Sequence, residues 1–194
     1  MGLIGSGCVR AGVLAGVVAF GAAGCSSTTV TPEEVLPPPE TARTVTVGEI
    51  EAGPERWKRL ARFFRNGLVR GLRESEAFDA VLDRAPESPV PGSITVSGRI
   101  TDVDEGSETA RFLIGLGTGS AEVAGRFEIA AAGSERLAVF EQRQVSTEGT
   151  GQGAHWNPVY VEDMMEQLGE ETAMTIIRWR DGEGLEPSIW HDLW

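Results

Sequence analysis

The chain has 194 residues, 41% hydrophobic and 24% charged, a globular composition with room for one domain and extensions. The formal net charge of −12 argues against a nucleic-acid partner, because a phosphate backbone needs clustered Lys and Arg. The two cysteines are Cys8 and Cys25, so the chain beyond them has no thiol for a disulfide, a thiolate metal site or a nucleophile.

Arg10 is the only charged residue before Glu33, and an uncharged run of small and apolar residues follows it over 11–23. That run has 13 residues, whereas a membrane-spanning helix needs about 20. A positive start, a short apolar core and small residues at the exit predict a secretory signal over 1–24. The exit, Ala22-Ala23-Gly24-Cys25, resembles the lipobox of bacterial lipoproteins, in which the cysteine is acylated and becomes the mature N-terminus. The resemblance implies a palmitate-type lipid on Cys25 and a membrane partner through it. Ser26 in place of Asp implies delivery to the outer membrane, facing the periplasm. An ordinary secretory signal cleaved nearby is the alternative. Residues 25–40 hold four prolines and several Ser and Thr and predict a lipid-anchored tether.

Residues 41–181 predict the folded domain, and 182–194 a Trp-containing tail. Alternation over 41–50 predicts a strand. Residues 55–73 predict an amphipathic helix with Trp57, Leu60, Ala61, Phe64, Leu68 and Leu72 on one face. Gly67 and Gly71 beside that face let a neighbour approach closely. A short strand at 77–83 and a proline-rich loop follow. Strands are predicted at 93–103, 107–114, 121–130 and 136–145, joined by turns into a meander. Asn157 as N-cap and Pro158 at the first helical position predict a second helix ending near Trp179. The expected fold is α+β: a two-layer sandwich, a mixed or antiparallel meander sheet with two helices on one face.

The stretch FLIGLGTGSAEVAG places Gly115, Gly117 and Gly119 after an apolar run. A dinucleotide fingerprint needs G-x-G-x-x-G and a following helix whose N-terminus meets the pyrophosphate. Here the spacing is G-x-G-x-G, and the following residues alternate like a strand. No Lys-Ser/Thr completes a Walker loop, so a nucleotide partner is not expected. A bulged strand connection and an exposed partner-binding tip remain as readings.

The segment RFLIGLGTGSAEVAGRFEIA resembles the most recognisable part of an uncharacterised group of bacterial lipoproteins, known as a domain of unknown function. Arg111, Gly115, Gly117, Gly119, Ser120 and Ala121 match its pattern. More distantly, the element order is similar to that of envelope lipoproteins that activate cell-wall synthases or form the curli secretion pore. The resemblance implies a location and a fold, and no enzyme activity.

Between Arg56 and Arg73 the sequence has seven Lys or Arg and no acid. Such a basic amphipathic helix can lie on anionic lipid; the simpler expectation is that its apolar stripe packs on the sheet and its basic face, including Arg59, Arg62 and Arg70, is available to an acidic partner. Asp102, Asp104, Glu105 and Gly106 have the composition of a turn and lack the rest of a calcium loop. His155 and His191 are far apart, no G-x-S-x-G or H-E-x-x-H occurs, and no acid pair stands out, so neither cofactor, metal nor catalytic residues are expected. Trp190 and Trp194 are tail aromatics suited to folding back or to docking. The expected function is a non-enzymatic, lipid-anchored envelope protein that binds or scaffolds an envelope protein partner. Arg111, Gly115, Gly117, Gly119, Ser120, Arg59, Arg62 and Arg70 are the expected contacts. The rivals are an Asp/Glu hydrolase of envelope polymer and a secreted structural protein without lipid.

Overall fold

The computed structural model describes residues 26–39, 42–86, 88, 90–106, 120–132, 135–146 and 160–185. Among these residues the elements are six strands and two α-helices: β1 (Ser26–Val35), β2 (Thr44–Ala52), α1 (Lys58–Glu74), β3 (Ala80–Leu82), β4 (Ser93–Asp104), β5 (Glu122–Ala131), β6 (Arg136–Ser146) and α2 (Val161–Arg180). They form an α+β fold with one open, mixed sheet in the order β1-β6-β5-β4-β2-β3. β2 is parallel to β3 and to β4, and the other pairings are antiparallel.

The first departure from expectation is β1. Residues read as a tether pair with β6, from Ser26↔Ser146 to Val35↔Ala138. The β-branched run Thr28-Thr29-Val30-Thr31 favours a strand, and Val30 is buried. Pro32 is tolerated because β1 is an edge strand and the register slips between Pro32 and Glu34. A second departure concerns the meander. β4 has β2 on one side and β5 on the other, so β5 takes the place expected for 107–114 beside β4. Residues 107–114 themselves lie outside the described residues. The second helix starts at Val161 after an extended Tyr160, and the expected cap at Asn157 and Pro158 also lies outside them.

Alternation along the strands sends Val45, Val47, Ile94, Val96, Phe127, Ile129, Ala138 and Phe140 into the core. Phe127 lies flat over the sheet. A Cβ at Gly98 or Gly125 would run into its ring, so both positions need glycine beneath it. Phe64 of α1 stacks on the other face of the ring, with centroids 4.7 Å apart and planes 3° apart, while Phe140 tilts against it at 5.7 Å. Such aromatic pairs contribute about 0.5–1.5 kcal/mol each beyond their buried area.

The two helices lie side by side on the core. Arg59 meets Glu162 near both N-termini, and Gly71 meets Ala173 some three turns on, so they run parallel. Gly67 faces the Glu166 carbonyl, and Gly169 faces the backbone of Phe64 and Leu68. A Cβ at either would overlap backbone, so the glycines set how closely α1 and α2 approach. This is the close approach expected beside Gly67 and Gly71, with a helix as the neighbour.

Candidate functional site

The buried stripe of α1 is Leu60, Ala61, Phe64, Gly67, Leu68 and Leu72. Arg62, Asn66, Val69 and Arg73 recur at helical spacing on the opposite side, and Arg62, Asn66 and Arg73 are exposed. Arg62 and Arg73 have no acidic partner among the described residues. Arg65, at the margin of this stripe, has a structural role. Its guanidinium donates to the carbonyls of Val47 at 2.9 Å, of Gly48 and of Asp83, fastening α1 to β2 and to the end of β3. An open depression of about 420 Å³ lies here, lined by Arg65, Asn66, Arg73, Glu74 and Asp83 among others. Glu74 and Asp83 are exposed.

The other two arginines expected to contact a partner are exposed and ion-paired with α2. Arg59 donates to Glu162. Arg70 donates through Nε to Glu170 at 2.8 Å and through its terminal nitrogens to Glu166 and Glu170. The hydrogen bonds to Glu170 and then Glu166 raise the Arg70 pKa above its ordinary value. Expected as partner contacts, Arg59 and Arg70 therefore bind α2, because α2 places its acids one turn apart along the seam. Arg62 alone of the three keeps an open charge among the described residues. Arg73 joins it, and the signal for it was the spacing from Arg62.

The sheet face turned away from the helices is rich in charge, and its arginines are neutralised. Arg99 donates to Glu51 at 2.8 and 3.0 Å, joining β4 to β2. Arg126 on β5 reaches past β6 to Glu33 on β1, at 2.8 and 2.6 Å. This hydrogen bond is the largest cause of a lowered Glu33 pKa and of a raised Arg126 pKa. Arg136 pairs with Glu128 at 3.1 Å, and Arg143 pairs with Glu122 and Glu141.

Two buried polar groups were not singled out in the sequence. Gln142 and Gln144 are fully buried, and neither amide has a hydrogen-bond partner among the described residues. They continue the inward alternation of Ala138 and Phe140 on β6, and that parity was the available signal. In the acidic turn, the Asp104 carboxylate accepts the Gly106 backbone N–H at 2.8 Å, and Gly106 has φ 69°. Ser120 is partly buried, with an interaction of its own. Cys25, Arg111, Gly115, Gly117 and Gly119 lie outside the described residues, as do both histidines, Trp190 and Trp194. Among the described residues no group of three or more His, Cys, Asp or Glu is placed to hold a metal, and no helix is long and apolar enough to cross a membrane.

The model of a domain of unknown function, DUF4410, matches residues 25–150. The chain belongs to the DUF4410 family. This DUF4410 chain has no match among curated proteins. Among solved structures it is similar to the PelC dodecamer from Paraburkholderia phytofirmans, with 12% identity and a TM-score of 0.52 over 78% of this chain and 97% of that one. A Xanthomonas campestris protein of the DUF330 family gives 14% identity and a TM-score of 0.45 over 78% and 97%. At this identity the likeness to PelC is one of fold alone. The family match begins at residue 25, next to the first residue of β1, in keeping with a strand where a tether was expected.

Proposed function

We propose that this DUF4410 protein is a non-enzymatic, accessory binding or scaffolding protein of the cell envelope, held to the outer membrane by lipid on Cys25. The observation that carries the binding role is the outer stripe of α1. Arg62 and Arg73 stand exposed without an acidic partner among the described residues, in a chain of net charge −12. In an acidic protein, unneutralised arginines on one rigid helix suit an acidic surface on a partner, and charge of this kind governs encounter and register. The PelC structure is a dodecamer, which makes a second copy of this chain the first partner to test.

The support for a non-enzymatic role is chemical. A carboxyl that acts as general acid near neutral pH needs burial or a like charge to raise its pKa. Glu74 and Asp83, in the depression beside α1, are exposed and lie among arginines. The support for the anchor is the signal-like run and the lipobox-like exit at 22–25. Two measurements test the proposal. Intact mass of the membrane-extracted protein is expected to start at Cys25 and carry acyl chains; an unmodified mass starting elsewhere contradicts the anchor. The double variant Arg62→Glu, Arg73→Glu is expected to lose self-association or co-purification with its envelope partner at least about tenfold, or about 1.4 kcal/mol. Unchanged association contradicts the binding surface.

A further inference from the structure

We infer that the partner of the α1 stripe is a second copy of this chain, docked through the outer stripe of its α2. This rests on the proposed binding role of Arg62 and Arg73 and names what they meet. On α2 the exposed residues Asp163, Gln167 and Met174 recur at helical spacing, with the half-buried Glu171 among them. Asp163 and Glu171 have no basic partner among the described residues. Met174, 45% exposed, is the one large hydrophobic side chain exposed within a helix among the described residues.

The two stripes diverge. The seam of the helix pair runs through Gly67 and Gly71 of α1 and through Gly169 and Ala173 of α2. Counted around each helix, both stripes stand about 110° from that seam, in opposite senses. One copy therefore carries its basic stripe on one flank of the helix layer and its acidic stripe on the other. A patch that must meet a different patch makes a heterologous contact, which repeats head-to-tail. At a net charge of −12, copies of the chain repel one another overall, so attraction is confined to these stripes and decides which faces meet.

The charges also set the direction. Arg62 to Arg73 covers about 16 Å of helix, and Asp163 to Met174 covers the same length. With the two helices parallel, Arg62 comes opposite Asp163, Asn66 opposite Gln167, and Arg73 beside Met174 with Glu171 within a turn. Val69 and Met174 supply the apolar centre. Beyond them the signs reverse. Exposed Glu74 ends α1 and exposed Glu76 follows it, while Arg178 stands one turn past Met174 on α2. In parallel docking Glu76 comes opposite Arg178. Turned antiparallel, Glu74 and Glu76 would face Asp163, and Arg62 would approach Arg178, so like charges exclude that arrangement.

The test uses the full-length protein, purified in detergent, with self-association read by sedimentation. The wild type is expected to associate, and to come apart as salt is raised. Arg62→Glu with Arg73→Glu makes both stripes acidic, and Asp163→Arg with Glu171→Arg makes both basic. Each variant alone is expected to associate at least about tenfold more weakly. An equimolar mixture of the two is expected to regain wild-type association, with the variants alternating. Arg62→Gln with Arg73→Gln, and Asp163→Asn with Glu171→Gln, give the two losses should a charge reversal fold poorly. A mixture that stays apart overturns the pairing. Loss in the arginine variant with full association in the Asp163, Glu171 variant overturns the α2 stripe alone and leaves the arginines as a contact to another surface. A monomeric wild type overturns the second copy and leaves the arginines to an envelope partner. Full association in both variants overturns the α1 stripe and its partner together.

Discussion

The sheet face turned from the helices and the outer face of α1 are both arginine-rich, yet they differ in what the arginines meet. On the sheet, Arg99, Arg136 and Arg143 face acids from the adjacent strand and Arg126 reaches across β6 to an acid of β1, because cross-strand positions bring side chains of several strands together. On α1 the acids that meet arginines come, among the described residues, only from α2, and α2 lies on one flank. It reaches Arg59 and Arg70 and leaves Arg62 and Arg73 without an acidic partner among the described residues. The sheet face thus presents a neutralised, solvated lattice, and the helix presents net positive charge. Arginine count alone does not distinguish a solvated face from a contact surface; the neighbours of each arginine do.

The comparison depends on α1 staying where the glycine seam puts it, so the largest effect is expected at that seam. Gly67→Leu forces a side chain onto the Glu166 carbonyl and should cost about 3 kcal/mol, read as a lower urea midpoint at unchanged slope. Little change would mean that the helices separate freely. Next in size is the contrast between the two faces. Arg62→Glu with Arg73→Glu should weaken partner association about tenfold and leave stability within about 0.5 kcal/mol. Arg99→Gln with Arg143→Gln should do the reverse, leaving association intact and lowering stability by about 1 kcal/mol or less. Equal loss of association from both pairs would erase the distinction.

A smaller effect, of opposite sign, is expected under the sheet. Gln142→Leu removes a buried amide that has no partner among the described residues and should raise stability by about 1 kcal/mol. A clear loss instead would reveal a polar partner for Gln142. The smallest effect concerns pH at the β1 edge. The folded pKa of Glu33 is lowered, so its tie to Arg126 is fully present above the unfolded carboxylate value and is lost as pH falls through the folded one. Hydrogen exchange of the β1 amides should quicken in acid in the wild type, and Arg126→Gln should blunt that dependence. An identical acid response in both would remove Glu33 as its cause.

The α+β class and both helices were legible because their apolar periodicity is strong, as in Leu60, Phe64, Leu68 and Leu72 of α1. β1 was not, because Pro32 and the Ser/Thr run suggest a linker, and only pairing with β6 gives Val30 a core to enter. Of the basic face, the residue types were legible and their partners were not. Arg59 and Arg70 look like Arg62 in sequence; their acids are supplied by α2, about a hundred residues on. The roles of Gly98 and Gly125 were equally hidden, since they depend on which strand brings the Phe127 ring over them.

The most direct test is photo-crosslinking in intact cells, with a photoreactive amino acid at Asn66 on the α1 stripe or at Ser97 on the sheet face. The account predicts a discrete adduct from position 66, abolished by Arg62→Glu with Arg73→Glu, and none from position 97. An adduct from position 97 with none from position 66 would contradict it.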